Sequence, residues 1–243
     1  MRYAVISDIH SNLEALNAVF EFLQSNPVDK IVSCGDLVGY GPDPKQCINK
    51  LRALNNFSSV MGNHDAAVIN KIDISNFNND AKEAITINKN MLTKDELDYL
   101  NSLKTSVSEN NLLFVHGSPR DPINEYLFLV EKFNQAMSFF KEKICFVGHT
   151  HQPIIFELDS KGNANFYQSV EIFELENDKR YIINVGSVGQ PRDNNPQVCV
   201  VFFDLKHLTI SFKRLSYDID KTQEKMAELN MPEKLIKRLS FGI

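Results

Sequence analysis

Five short segments of this 243-residue chain concentrate carboxylate, carboxamide and imidazole groups: Asp8-Ile9-His10, Gly35-Asp36, Gly62-Asn63-His64-Asp65, Val115-His116-Gly117 and Gly148-His149-Thr150-His151. They hold five of the six histidines, and only His207 lies outside them. Groups of these types bind metal ions and move protons. Taken singly, each segment has a plainer reading. Asp8 could cap a following helix, Gly35-Asp36 is an ordinary turn, and Asn63 or His116 could be a hydrogen-bonded loop residue. His149 and His151, as alternate residues of an extended segment, point both rings out of one face, which on its own makes a one-ion site. Independent accidents would not place all five segments directly behind short hydrophobic runs and use up nearly every histidine.

Those hydrophobic runs are the elements that must position the segments. Residues 2–6 read as a strand ending at Ser7-Asp8. A helix should follow, because Ser11 and Glu14 have capping-box spacing and Leu13, Leu16, Phe20 and Leu23 recur at helical intervals up to the stop at Pro27. The same grammar repeats at Ile31 to Cys34 before Gly35-Asp36 and at Phe57 to Met61 before Gly62-Asn63, with a helix from about Pro44 to Leu54 between them. Residues 80–104 read as mainly helical, with Thr93 and Glu96 as a second capping box; Leu112 to Val115 and Ile144 to Val147 are further strands. Alternating strand, polar loop and helix indicates an α/β arrangement with parallel neighbours, and in one such sheet all five segments would emerge along the carboxyl edge. After about residue 152 the chain becomes strand-rich, at Ile154–Leu158, Asn165–Gln168, Tyr181–Val185, Val198–Asp204 and Leu208–Lys213. Helix formers return from about residue 219. No Pro/Gly/Ser-rich linker interrupts the chain, so a single domain over residues 1–243 with a C-terminal helical tail is expected.

The ordered blocks D-x-H, G-D, G-N-H-D, a histidine after a strand and G-H-x-H resemble the calcineurin-like metallophosphoesterase superfamily, without substitution in any block. The resemblance spans residues 4–151 and extends to about 192 through the glycine-serine loop Asn184 to Arg192. The run Gly35 to Pro44 is similar to that of the small bacterial and archaeal phosphodiesterase branch. The resemblance implies an α/β fold of two packed mixed sheets flanked by helices, a four-layer α/β/β/α sandwich. It implies two divalent or mixed-valence ions, with Asp8, His10 and His151 holding the first, Asn63, His116 and His149 the second, and Asp36 bridging them. Oxygen and nitrogen ligands without thiolate agree with Mn, Fe, Zn or Ni. Two such ions share and acidify a bridging water and clamp the phosphate oxygens. His64 resembles the family's histidine that protonates the leaving oxygen, and Asp65 the residue that orients it. A ligand role for His64 and a helix-capping role for Asp65 are the other readings.

Arg192 is the candidate substrate contact, because it follows a glycine-rich loop and its guanidinium fork suits a phosphate. Arg120, Tyr40 and Asn12 are weaker candidates. The expected function is hydrolysis of a small phosphate ester by a phosphodiesterase or phosphatase, with a nucleotide or dinucleoside polyphosphate as substrate. The alternative is a non-catalytic scaffold on the same fold, which would not need His64. A net charge of −5 without a Lys/Arg block disfavours long nucleic acids as partners. No apolar run reaches the roughly 18 to 20 residues of a membrane span, and residues 2–6 read as a strand rather than a signal sequence, so a cytoplasmic protein is expected. The scattered cysteines Cys34, Cys47, Cys145 and Cys199 suggest neither a disulfide framework nor a zinc ribbon.

Overall fold

The computed structural model describes residues 1–168 and 170–243. In chain order the elements are β1 (Arg2–Ile6), α1 (Leu13–Ser25), β2 (Lys30–Ser33), α2 (Pro44–Arg52), β3 (Phe57–Ser59), α3 (Asn63–Val68), α4 (Asn79–Met91), α5 (Lys94–Ser102), β4 (Ser106–Glu109), β5 (Leu112–Val115) and α6 (Val130–Ala136). There follow β6 (Ile144–Val147), β7 (Ile154–Leu158), β8 (Ala164–Tyr167), β9 (Ile172–Glu174), β10 (Arg180–Asn184), β11 (Val198–Asp204), β12 (Thr209–Leu215), α7 (Ile219–Glu228) and α8 (Glu233–Arg238).

The strands form two six-stranded mixed sheets, ordered β3-β2-β1-β11-β12-β9 and β4-β5-β6-β10-β7-β8. In each, three neighbours run parallel, β1 with β2 and β3, and β5 with β6 and β10. Antiparallel strands complete both. Alternation along β1 shows how the layers pack: Tyr3 and Val5 point between the sheets, against Phe114, Phe146 and Phe203, while Ala4 and Ile6 point at the helices. A strand covered on both faces has to be apolar throughout, which is why β1, β6 and β11 read as unbroken hydrophobic runs. Helices α1 and α2 cover the first sheet, and α6 covers the second through Phe133 and Ala136. The four-layer α/β/β/α arrangement expected from the sequence is thus present.

Two local expectations are corrected. The helix after β1 is capped by Asn12, whose Oδ1 accepts from Ala15 N at 3.1 Å, and not by Ser11. Ser11 has a left-handed backbone (φ +54°), unlike the extended backbone of a cap, and its hydroxyl donates to Asn88 Oδ1 at 2.6 Å. Secondly, the motif segments do not line one sheet. Three leave strands of the first sheet (β1, β2, β3) and two leave strands of the second (β5, β6), so the two packed sheets bring their carboxyl ends together. The capping box at Thr93 is present, with Thr93 N donating to Glu96 at 2.9 Å. Strands β4 and β9 lie outside the runs read as strands: both are short edge strands, β4 largely polar and β9 only three residues long.

Candidate metal centre

Where the strands end, the backbone turns sharply and the loops lock to one another. Asp8, His10, Ser11, Asp36, Tyr40, His149 and His151 all have φ between +47° and +67°. L-residues take this conformation at a cost, and its clustering at one place marks a functional constraint. Asp8 N, His10 N and Ser11 N donate to Gly35 O, Asp36 O and Leu37 O, each at 3.0 Å, so the loops after β1 and β2 zip together. Gly148 N donates to His116 O at 3.0 Å across the second sheet, and Gly189 N to Asp8 O at 2.9 Å ties the late glycine-serine loop to the first. Two glycines permit the close approach. A Cβ at Gly62 would lie 2.0 Å from Asp36 Oδ1, and one at Gly148 would lie 1.9 Å from Ser7 Oγ.

The side chains converge in the buried space so formed. His151 Nε2 lies 3.2 Å from Asp8 Oδ1, and His10 Nε2 lies 3.7 Å from that oxygen and 3.6 Å from Asp36 Oδ2. On the other side His116 Nε2 is 3.3 Å from Asp36 Oδ2 and 2.9 Å from Asn63 Oδ1. Two groups able to hold a cation result, Asp8/His10/His151 and Asp36/His116/His149; a third, His10/Asp36/His64, spans the space between them. Asp36 faces both sides.

Each ring is held from behind. His10 Nδ1 donates to Val38 O at 3.0 Å, His116 Nδ1 to Cys34 O at 2.8 Å and His151 Nδ1 to Gln190 O at 2.5 Å. In His10 and His151, whose charged forms burial disfavours, those bonds assign the proton of the neutral imidazole to Nδ1 and turn the Nε2 lone pair inward. His149 is the exception, its Nε2 meeting Asn124 O at 3.2 Å.

The donor set fits metal ions. Asp8 Oδ1 and Asp36 Oδ2 are buried and meet no hydrogen-bond donor. His10 Nε2 and His151 Nε2 face each other at 3.2 Å, so two inward lone pairs need an electrophile between them. Burial pushes Asp8 and Asp36 up, but the surrounding imidazoles, His151 for the first and His116 for the second, outweigh it and hold both well below the usual carboxylate range. His116 is opposed by its own burial, yet Asp36 pushes it up to about 9. Buried anions that must borrow their counter-charge from histidines are suited to exchanging it for a cation. The four cysteines are unpaired and buried, and burial raises their thiols, so none competes as a ligand.

Every residue of the sequence-derived ligand set, Asp8, His10, Asp36, Asn63, His116, His149 and His151, is buried in this one cluster. His64 lies beside it, its ring 4.9 Å from that of His10 and 4.4 Å from that of Tyr40, with burial drawing it down to about 4. Its Nδ1 meets no partner. Asp65 therefore does not orient that ring: its oxygens accept from Gly62 N at 3.0 Å, Leu37 N at 2.9 Å and Val38 N at 3.2 Å, which caps α3 and ties it to the loop after β2. Arg192 lies over Tyr40, with its guanidinium carbon 5.6 Å from the ring centre. Arg120 is turned to Glu125 and Gln135 and does not face the cluster. Asn12 caps α1 and donates to Gly189 O at 2.9 Å. Sequence reasoning missed Tyr126, whose ring stacks on His149 with centres 3.6 Å apart, and Asn88, which joins Ser11, Gly39 and Gly41. Neither lies in a motif, and only the fold brings them near.

The profile of the calcineurin-like phosphoesterase superfamily domain matches residues 1–207. An uncharacterised protein of Methanocaldococcus jannaschii is 40% identical over 247 residues, covering 98% of this chain and 97% of its own. The crystal structure of a metallophosphoesterase from Sphaerobacter thermophilus is 38% identical, with a TM-score of 0.87 over 100% of this chain and 99% of that one. A symmetrical bis(5'-nucleosyl)-tetraphosphatase of Erwinia tasmaniensis is 40% identical over 63 residues, 25% of this chain and 23% of its own. Among the described residues no helix is long and apolar enough to cross a membrane.

Proposed function

Since the chain belongs to the calcineurin-like phosphoesterase superfamily, we propose that it hydrolyses small phosphate esters, nucleotide-like diesters or monoesters, at the buried cluster. The observation that carries this reading is the pair of buried, unpartnered oxygens, Asp8 Oδ1 and Asp36 Oδ2, ringed by inward-turned histidines. Asp8, His10 and His151 would hold one divalent ion, Asn63, His116 and His149 the other, and Asp36 both. When bound, such a pair supplies an acidified water as nucleophile and neutralises charge on the phosphate.

The chain's own residues do the rest. His64, on the wall of the open cleft with Asn63, Asn124 and Tyr126, would give a proton to the leaving oxygen. Arg192 presents a cation to the phosphate, steadied by Gln190 Oε1 at 2.8 Å. Tyr126 and Phe128, stacked within 6° of parallel, offer an aromatic platform for a base at the cleft mouth. The partial similarity to a bis(5'-nucleosyl)-tetraphosphatase favours a nucleotide or dinucleoside polyphosphate as substrate. The acting unit is the whole span 1–243 as one domain, because the tail helices pack on the Tyr40 loop.

The test is direct. Purified protein supplied with Mn²⁺, and in parallel with Fe, Zn or Ni, is assayed on a nitrophenyl phosphomonoester and a nitrophenyl phosphodiester. Turnover of either supports the reading. Silence with all four metals would put the non-catalytic scaffold in its place.

A further inference from the structure

The proposed chemistry uses no residue of the two C-terminal helices, yet they stand directly behind it. Both lie beyond the span matched by the family profile, which ends at residue 207. Thr222 and Met226 of α7 and Leu239 after α8 meet His10, Tyr40 and Gln190 around a cavity of only about 10 Å³, so the tail fills the back of the cluster. Thr222 Oγ1 also lies 3.2 Å from Asn12 Oδ1, just past His10 in the chain.

Lys225 of α7 makes the charged part of this contact. Its Nζ donates to Glu14 Oε1 at 2.7 Å and to Asp43 Oδ2 at 2.9 Å, joining the start of α1, the loop after β2 and the tail. Both carboxylates are buried, and both stand where a helix cap would be expected: Glu14 is the acid of the Ser11 capping-box spacing, and Asp43 immediately precedes α2. Neither caps. Asn12 serves α1, and the Asp43 side chain makes no capping bond to α2. Glu14 has a second, more exposed counter-charge in Lys221 Nζ at 3.3 Å, whereas among the described residues Asp43 forms an ion pair with Lys225 alone. Removing Lys225 would leave a buried carboxylate without its cation, a far larger loss than that of a solvated ion pair.

The two segments that Lys225 joins are the two that zip together beside His10. Gly41 N donates to His10 O at 3.0 Å and Asp43 N to Ser11 O at 2.9 Å, continuing the ladder that starts between Asp8 and Gly35. A Cβ at Gly41 would lie 2.3 Å from His10 O, so this strip has no slack. We propose that Lys225 is a positioning residue for the first ion: by holding Glu14 to Asp43 it clamps the end of the ladder and fixes His10. The proposal rests on the phosphoesterase reading for its two ions. Asn63, His116 and His149, assigned to the second ion, follow β3, β5 and β6 and lie outside the clamp.

The experiment titrates Mn²⁺ calorimetrically into the full chain, stripped of metal with a chelator, in two backgrounds that keep one site each: His116→Ala for the first ion and His151→Ala for the second. Groups that support metal ligands from behind are worth about 10- to 100-fold in affinity, so Lys225→Met should weaken Mn²⁺ by that factor in His116→Ala and by less than about threefold in His151→Ala. Lys225→Arg, which keeps the charge, should recover most of the loss. Equal losses in the two backgrounds with a lowered thermal midpoint would make Lys225 a purely structural tie; that outcome, or unchanged affinity at the first site, overturns the proposal. Should Lys225→Met not fold, Asp43→Ala opens the clamp without stranding a buried carboxylate and should give the same one-sided loss. Turnover separates the two readings. Lys225-dependent Mn²⁺ binding without hydrolysis of any ester would sink the phosphoesterase and spare the clamp. Ester hydrolysis by a chain whose Mn²⁺ affinities ignore Lys225→Met would do the reverse.

Discussion

His10, His116 and His151 are at most 2% exposed and each is tied to a backbone carbonyl, whereas Tyr126 on the cleft wall and Phe128 and Leu129 just after it in the chain are 39 to 59% exposed. The first group sits on loops that bond to one another across two sheets; the second sits on a connection between β5 and α6 with few such ties. Groups that must meet an ion or a reacting phosphate within fractions of an ångström have to be fixed before the substrate arrives. Groups that recognise the remainder of a substrate can be ordered by it. On the proposed function, the contrast puts chemistry in the cluster and selectivity in the rim, and it can be attacked from both ends.

The severest attack is on the shared carboxylate. Asp36→Asn should cost on the order of 10⁴-fold or more in turnover, as removal of one member of a catalytic unit does, and should lower occupancy of both ion sites. Elemental analysis finding two full equivalents bound would mean that Asp36 does not serve both. Next, His64→Ala should keep both ions and lose about 10²- to 10⁴-fold in kcat, the range for a general acid. Metal loss in a folded variant would recast His64 as a ligand. Gly62→Ala leaves every reactive group in place but drives a methyl into Asp36; a shift of about 1 Å there should cost roughly 10²-fold. Near-normal turnover would show that the cluster tolerates movement, and the contrast would fail.

At the rim the effects should be smaller and substrate-dependent. Tyr126→Ala should lower kcat/KM for a nucleotide substrate roughly 5- to 150-fold, the equivalent of ~1 to 3 kcal/mol of base stacking, with little change for a nitrophenyl ester. An equal loss on both would assign Tyr126 to supporting His149, on which it stacks. The smallest effect is expected at Arg120, whose guanidinium is turned to Glu125 and Gln135: Arg120→Ala should leave kcat/KM within about twofold and stability within ~1 kcal/mol. A larger kinetic loss would restore it as a substrate contact.

The seven residues of the cluster, His64 and the alternation of strand and helix in the first half were legible in the chain because each motif is a local event. A buried strand is a run of apolar residues, and the polar group that ends it stands beside it in sequence. The role of Ser11 was not legible, and neither was the choice between capping and orienting for Asp65. Both depend on which backbone N–H or side chain lies opposite, and Leu37, Val38 and Asn88 reach them from 27 residues or more along the chain. The same holds for Tyr126 over His149. Sequence alone thus determined the residue types of the cluster, their order and the strands that carry them, since hydrophobic periodicity and short motifs need no partner. Only the tertiary structure decided that two sheets would join their edges around one cluster, which residues would cap or brace it, and that the tail would fill the space behind it, because those outcomes depend on packing between segments far apart in the chain.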